Sequence, residues 1–382
     1  MSEIDEILET RKEESEDMSR LIRGGIRRNI YSRAVITVLV LALAAAGIWH
    51  GARAVKENHS FHLEDMEYLL DDRIPDANEE LADNLVTANA GWYLNCYFEL
   101  FVPGSCFILD PNCAPAEKDF GAWAVTGYLL DAFHMNPEYA RLPEVKSDSR
   151  REFEIRDGSF VPDADILYSI YYENPFRNWW SFNSTWERWH SVPDIKTEIE
   201  SLPDSASVEF DLKFKETSDT DGLLLWLSQY PGSTPVYAVT HLYTDKENGY
   251  RICPQGFSFL RSFYIGPTSE ETREKYPGFS PAAVSMVPYY KTSSFVSAPQ
   301  RKHVKEELLS HYRDSLKLLL DNDFLNEKEK DIAEYVYGDL LEKEPEILGM
   351  RIYCSKEDAR KLLEDDNILN IRIADIKLHR FD

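Results

Sequence analysis

Between Ala34 and Ala52 the chain runs for 19 residues without Lys, Arg, Asp or Glu: AVITVLVLALAAAGIWHGA. As a helix rising ~1.5 Å per residue, this run reaches about 28 Å, close to the ~30 Å hydrocarbon core of a bilayer. A helix buried in a water-soluble protein keeps a polar stripe. This run has none. A cleaved leader starts with a short charged stretch and has a shorter apolar core, whereas 33 residues precede this one. Trp49 falls near the far end, where an amphipathic ring suits the lipid headgroups. The sequence therefore predicts one transmembrane helix over residues 34–52.

Basic residues set its direction. Arg23, Arg27, Arg28 and Arg33 stand just before the run; after it come only Arg53 and Lys56, followed by Glu57. Positive charge stays on the cytoplasmic side, so the amino end is expected in the cytoplasm. This gives a cytoplasmic tail at 1–33 and the membrane helix at 34–52. Beyond it lie a juxtamembrane and aromatic-rich extracytoplasmic region at 53–200 and a carboxyl-terminal extracytoplasmic domain at 201–382. A net charge of -25 repels a phosphate backbone, which argues against direct nucleic-acid binding. With 43% hydrophobic and 13% aromatic residues, most of the chain is expected to fold.

The tail has its own pattern. Ile4, Ile7, Leu8, Met18, Leu21 and Ile22 share an arc of ~140° at the helical angle, though Arg11 and Ser15 interrupt it. Gly24 and Gly25 suit a helix interior poorly and mark a joint before the basic collar. An isolated helix of this length is marginal in water. Its apolar stripe suits helix-in-groove binding to a cytosolic protein, and a solvated, inert tail is the competing reading.

Beyond the membrane run, a helical pattern is read around Leu63, Met66, Leu69 and Leu70, then Leu81, Leu85 and Val86. Residues 91–200 are rich in aromatics, with Trp179, Trp180, Phe182, Trp186 and Trp189 expected in a core rather than on a ligand platform. From Ser207 the signals sharpen. Val208, Phe210, Leu212 and Phe214 alternate with polar residues, as a half-buried strand requires. Asp219 or Thr220 can cap a helix carrying Leu223, Leu224 and Leu227. Val236–Tyr243 reads as a central strand. Helices follow over 302–321 and around Ile332–Leu340. Ser355 caps a helix between a strand at Met350–Cys354 and a last strand at Ile371–Leu378, with a bulge expected near Ala374–Asp375. Two β-α-β units thus emerge, at 207–243 and 349–378. They are either a remote duplication or a coincidence of a common motif. The expected class is α+β, a mixed β-sheet with helices packed on it, preceded by the membrane helix.

These stretches resemble the sigma factor regulator family, the membrane-bound anti-sigma factors of Gram-positive bacteria. SVEFDLKFKETSDTDGLLLWL at 207–227, PVYAVTHLY at 235–243 and VKEELLSHYRDSLKLLLDN at 304–322 resemble its carboxyl-terminal domain. So does GMRIYCSKEDARKLLEDDNILNIRIADIKL at 349–378. The amino end, RKEESEDMSRLIRGGIRRNIYSR, is similar in organisation. The resemblance implies a tail that sequesters a cytosolic sigma factor and an outer domain that responds to envelope state. Its partners would be the sigma factor, the lipid bilayer and a second membrane regulator. The chain departs from the family at Tyr353-Cys354-Ser355, in place of a Thr-Gly turn, and at Arg380-Phe381, in place of a terminal Trp.

No residue set points to catalysis. Walker, nucleophile-elbow, zinc-protease and dinucleotide-binding patterns are missing from the sequence. No cofactor is expected. Cys96, Cys106 and Cys113 leave three readings open: one disulfide, free thiols, or zinc ligands. His59 and His62 in HSFHLED could share a helix face, but a polar linker is the simpler reading. The alternative to the regulator is a membrane-anchored ligand-binding or envelope enzyme domain with an inert tail.

Overall fold

The computed structural model describes residues 18–20, 23, 27, 31, 35–43, 46–50, 60–67, 69–70, 79–102, 105–110, 113–131, 150–163, 166, 192–245, 251–259, 268–279 and 292–378. The chain divides into two compact units, Met1–Ser60 and Phe61–Asp382. The first unit's described residues are all helical, apart from Ser60.

The second unit is α+β, with two antiparallel sheets. Helix α1 (Glu79–Phe101) leads into β1 (Ser105–Leu109), β2 (Ala116–Asp119), β3 (Ala122–Asp131), β4 (Arg150–Arg156) and β5 (Ser159–Val161). These strands form the first sheet, in the order β1-β3-β4-β5 with β2 also on β3. Trp92, Tyr93, Tyr97, Phe98 and Phe101 of α1 are buried, as are Phe107, Phe153 and Phe160 on the strands. Large rings at edge-to-face angles, such as Phe107 on Phe153, fill this part of the core. Residue 200 lies within the second compact unit, Phe61–Asp382. The tryptophans at 179–189 lie outside the described residues.

Then come α2 (Val192–Ser201), β6 (Ala206–Ser218), α3 (Thr220–Leu227), β7 (Ser233–Asp245), β8 (Arg251–Ser258) and α4 (Glu270–Lys275). The chain closes with α5 (Ala298–Asp321), α6 (Glu327–Glu342), β9 (Ile347–Ser355), α7 (Lys356–Leu362) and β10 (Ile368–Leu378). The second sheet runs β10-β6-β9-β7-β8. The expected β-α-β units are present, but the sheet is not mixed. Every described neighbouring pair is antiparallel. Each unit is split: β9 lies between β6 and β7, and β6 lies between β9 and β10. Side-chain periodicity reports which face is buried. It does not report which strand inserts between two others, and here the two β-α-β motifs interlock.

Local signals explain the elements. Asp219 caps α3 by accepting from the Gly222 amide at 2.7 Å. Ser355 caps α7 by accepting from the Asp358 amide at 3.2 Å. Asp358 does not turn back to the cap. Its carboxylate accepts instead from the Gly232 amide and the Ser233 hydroxyl, tying α7 to the turn that opens β7. The irregularity expected near Ala374–Asp375 is a register slip between Ile373 and Asp375. At Gly349 a Cβ would lie 2.4 Å from the Leu212 carbonyl oxygen, so only glycine permits this close approach of β9 to β6.

Leu63–Leu70 is not the expected helix. One 3-10 turn spans Leu63–Asp65, and Leu70 then bridges to Thr268. The segment is strapped down by polar contacts that apolar periodicity cannot reveal. Asn89 Oδ1 accepts from the Leu69 amide at 2.9 Å, and Lys275 Nζ, Tyr276 Oη and Asn322 Nδ2 all donate to Glu67.

Candidate functional site

Two places are chemically unusual: the apolar helix of the first unit, and the buried charges of the second. In the first, Val35, Ile36, Val38–Leu41, Leu43, Ile48 and Trp49 are all exposed, Ile48 by 73%. Four consecutive residues at 100° per residue point to every side of a helix. Val38, Leu39, Val40 and Leu41 therefore leave no sheltered face. Among the described residues no helix is long and apolar enough to cross a membrane. Of the run 34–52, Ala34, Ala44, Ala45, Gly51 and Ala52 lie outside the described residues.

Of the tail's apolar stripe only Met18 is described; it is helical and exposed. Ile4, Ile7, Leu8, Leu21 and Ile22 lie outside the described residues. Arg23 and Arg27 are helical and exposed, while Arg28 and Arg33 are not described.

In the second unit, Asp211 is completely buried at the middle of β6. Its register partners are Arg351 on β9 and Arg372 on β10. Arg351 Nε donates to Asp211 Oδ1 at 2.8 Å and Arg372 Nε to Oδ2 at 3.0 Å. Arg351 also lies 3.8 Å from the buried Glu209. Two guanidinium groups thus hold one carboxylate across three strands. Burial pushes the nearby Lys213 ammonium down. The cluster holds no nucleophile; what it can do is fix register, since a slip of one residue would bury unpaired charge.

Two histidine–carboxylate pairs join helices to their surroundings. Glu99 of α1 meets His311 of α5 at 2.8 Å, with Ser315 Oγ 3.5 Å from the same Nε2. A hydrolytic triad needs the hydroxyl and the carboxylate on opposite ring nitrogens. Here both sit on one, so the imidazole cannot relay a proton between them. Burial pushes the adjacent Cys96 thiol well up, which leaves it inert. His241 does bridge: Nδ1 lies 2.7 Å from Thr240 Oγ1 and Nε2 2.9 Å from Asp339. Yet Thr240 is buried and its hydroxyl faces the Gln255 carbonyl and Tyr312.

Cys96 and Cys113 are both free, and a bridge within 96–113 would need at least one of them, so that disulfide is not formed. Among the described residues no group of His, Cys, Asp and Glu could hold a metal. His62 precedes the 3-10 turn, and its amide donates to Asp65 at 2.7 Å; His59 is not described.

Sequence reasoning missed the Arg351–Asp211–Arg372 cluster and Glu329. The signals were present. Asp211 stands on the polar face of a strand read as half-exposed, in a chain that carries Arg351 and Arg372 on two further strands expected in the same sheet, and Asn326-x-x-Glu329 is a capping pattern. Comparison with family models, with curated proteins and with solved structures finds no match to this chain.

Proposed function

We propose that this chain is a single-pass membrane anti-sigma factor. In this reading the tail at 1–33 binds and holds a cytosolic sigma factor. The run at 34–52 spans the membrane with its amino end inside, and the outer unit responds to the envelope. One observation carries the membrane part: a helix whose large apolar side chains are exposed on every side. Such a surface is costly in water, at about 25 cal/mol per Å2, and is stable in lipid. The regulatory part is supported by the resemblance of residues 207–227, 235–243, 304–322 and 349–378 to the sigma factor regulator family. The residues assigned to the partner are Ile4, Ile7, Leu8, Met18, Leu21 and Ile22; Arg23, Arg27, Arg28 and Arg33 set the topology. A second membrane regulator is a further partner in this scheme.

The test is deletion of residues 2–22 from the membrane-bound chain. Transcription from sigma-dependent promoters should rise while the outer unit stays folded and protease-resistant. A chain recovered without detergent in the soluble fraction would remove the membrane anchor. No change in transcription, together with no sigma factor retained by the tail in a pull-down, would leave only the anchored domain with an inert tail.

A further inference from the structure

Helix α6 is fastened at both ends by titratable groups that are out of water. At its amino end Glu329 is fully buried. Tyr97 of α1 donates to its Oε1 at 2.6 Å, while Oε2 is buried with no hydrogen-bond partner. Around it the first sheet meets the α5–α6 corner. Tyr97 packs on Phe160, Phe160 stacks on Phe324, and the Phe160 amide donates to the Phe324 carbonyl. At the carboxyl end Asp339 accepts from His241 of β7, which is buried between Thr240 and the ring of Tyr335.

We propose that α6 is a pH-gated clamp, docked while Glu329 is protonated and His241 is neutral, and loosened at its amino end as the pH rises to neutral and at its carboxyl end as the pH falls. The orphaned oxygen is the geometric sign at the amino end. A neutral carboxyl tolerates one unmade bond, whereas a buried carboxylate does not. Burial pushes the Glu329 carboxyl up to about 7, against the hydrogen bonds from Tyr97 and at Asn326. Released, it returns to the ordinary 4.5. Its contribution to docking is therefore complete below 4.5 and is lost as the pH rises to about 7. His241 has the opposite sign. Burial pushes its imidazolium below the ordinary 6.5, against the pull of Asp339 and with the help of Lys343. Its contribution is present above 6.5 and is lost as the pH falls.

The neighbours do not cancel this. Facing Glu329 among the described residues are Tyr97 from α1, which packs on Phe160 of β5, and Asn326 and Lys328 from the corner and α6 itself. The Lys330–Asp323 pair at this corner is exposed. Facing His241 among the described residues are Asp339 and Tyr335 from α6 and Lys343 just past its end, with Tyr243 of β7 packed on Tyr335; through Thr240 come Tyr312 from α5 and the Gln255 carbonyl of β8. The inference concerns the second unit alone and stands whether or not the anti-sigma reading does.

Hydrogen exchange of the full chain in detergent, followed across pH and corrected for intrinsic rates, tests it. The α6 amides should open about tenfold more readily at about pH 8.5 than at about pH 6, relative to β9. In acid, opening should rise at the carboxyl end of α6, around Asp339. Glu329→Gln should abolish the alkaline arm and keep the acid arm, and His241→Gln should do the reverse. Tyr97→Phe removes the hydroxyl that favours the carboxylate, so the alkaline arm should move to higher pH. If Glu329→Gln does not fold, this variant decides: an unmoved alkaline arm overturns the clamp. So does an alkaline arm that persists in a folded Glu329→Gln, or α6 exchanging in step with β9 at every pH.

Discussion

Residues 35–50 and the sheet built on β6 use apolar side chains in opposite ways. In the first, Leu39 and Leu41 are exposed and no charge is present. In the second, Val208, Phe210 and Leu212 are fully buried, and so is the charge on Asp211. The difference lies in the faces. A strand that alternates has one side for the core and one for polar work, so it folds against helices in water. A helix that is apolar all round has no side to give to water. Apolar content alone would have treated the two alike.

The largest expected effect sits where the second region hides its charge. Replacing Asp211 by Ala leaves Arg351 and Arg372 facing each other with no carboxylate between them. Breaking a buried pair by removing one partner costs about 3–5 kcal/mol. The midpoint of urea unfolding of the outer unit should fall accordingly. A change within about 0.5 kcal/mol would mean that the cluster is hydrated and fixes nothing.

Next comes a matched pair of truncations. Leu224 is fully buried on α3, and Leu39 is 57% exposed. Leu224→Ala should cost about 2–5 kcal/mol from lost burial and the cavity left behind. Leu39→Ala should leave the outer unit's unfolding within about 0.5 kcal/mol of the parent. The reverse ranking would show that the helix of the first unit, not the sheet, is the apolar core of the fold.

Much of this contrast was legible in the residues. The β6 alternation, the Asp219 and Ser355 caps and the slip near Asp375 are local, and local patterns can be read from one sequence. Pairing was not legible. Inserting β9 between β6 and β7 depends on contacts across more than a hundred residues, for which a single strand carries no signal. The strap at Leu63–Leu70 reads as helix in the sequence because its fasteners, Asn89, Lys275, Tyr276 and Asn322, are distant in sequence and polar. Glu329 and His241 were passed over for the same reason. What makes them unusual is what surrounds them.

That strap gives a third, smaller test. Burial pushes the Glu67 carboxyl up, but the hydrogen bonds from Lys275, Asn322 and Tyr276 outweigh it and hold the group below its ordinary value. A depressed carboxyl stabilises the fold above its unfolded value of 4.5, and that stability drains away as the pH falls through the folded value. Glu67→Gln should cost about 1–2 kcal/mol at neutral pH, since the site is partly open to water and screened. The penalty should shrink in acid. Thermal melting of parent and variant at neutral pH and near pH 4 checks both parts, and a penalty that persists unchanged in acid would show that the carboxylate charge is not what holds the strap.

The smallest effect separates the two interlocked β-α-β motifs. Asp219→Ala removes only the α3 cap and should cost about 1 kcal/mol, as exposed N-caps do. Ser355→Ala removes the corresponding α7 cap and should cost about the same. Asp358 has no counterpart in the first β-α-β motif, because its carboxylate reaches the Gly232 amide and Ser233 at the turn before β7. Asp358→Asn should therefore exceed both caps, with the amide nitrogen unable to accept. If Asp219→Ala proves as costly as Asp358→Asn, the two halves are braced alike. The asymmetry that ties α7 to the β7 turn would then be a detail of side-chain placement rather than a joint of the fold.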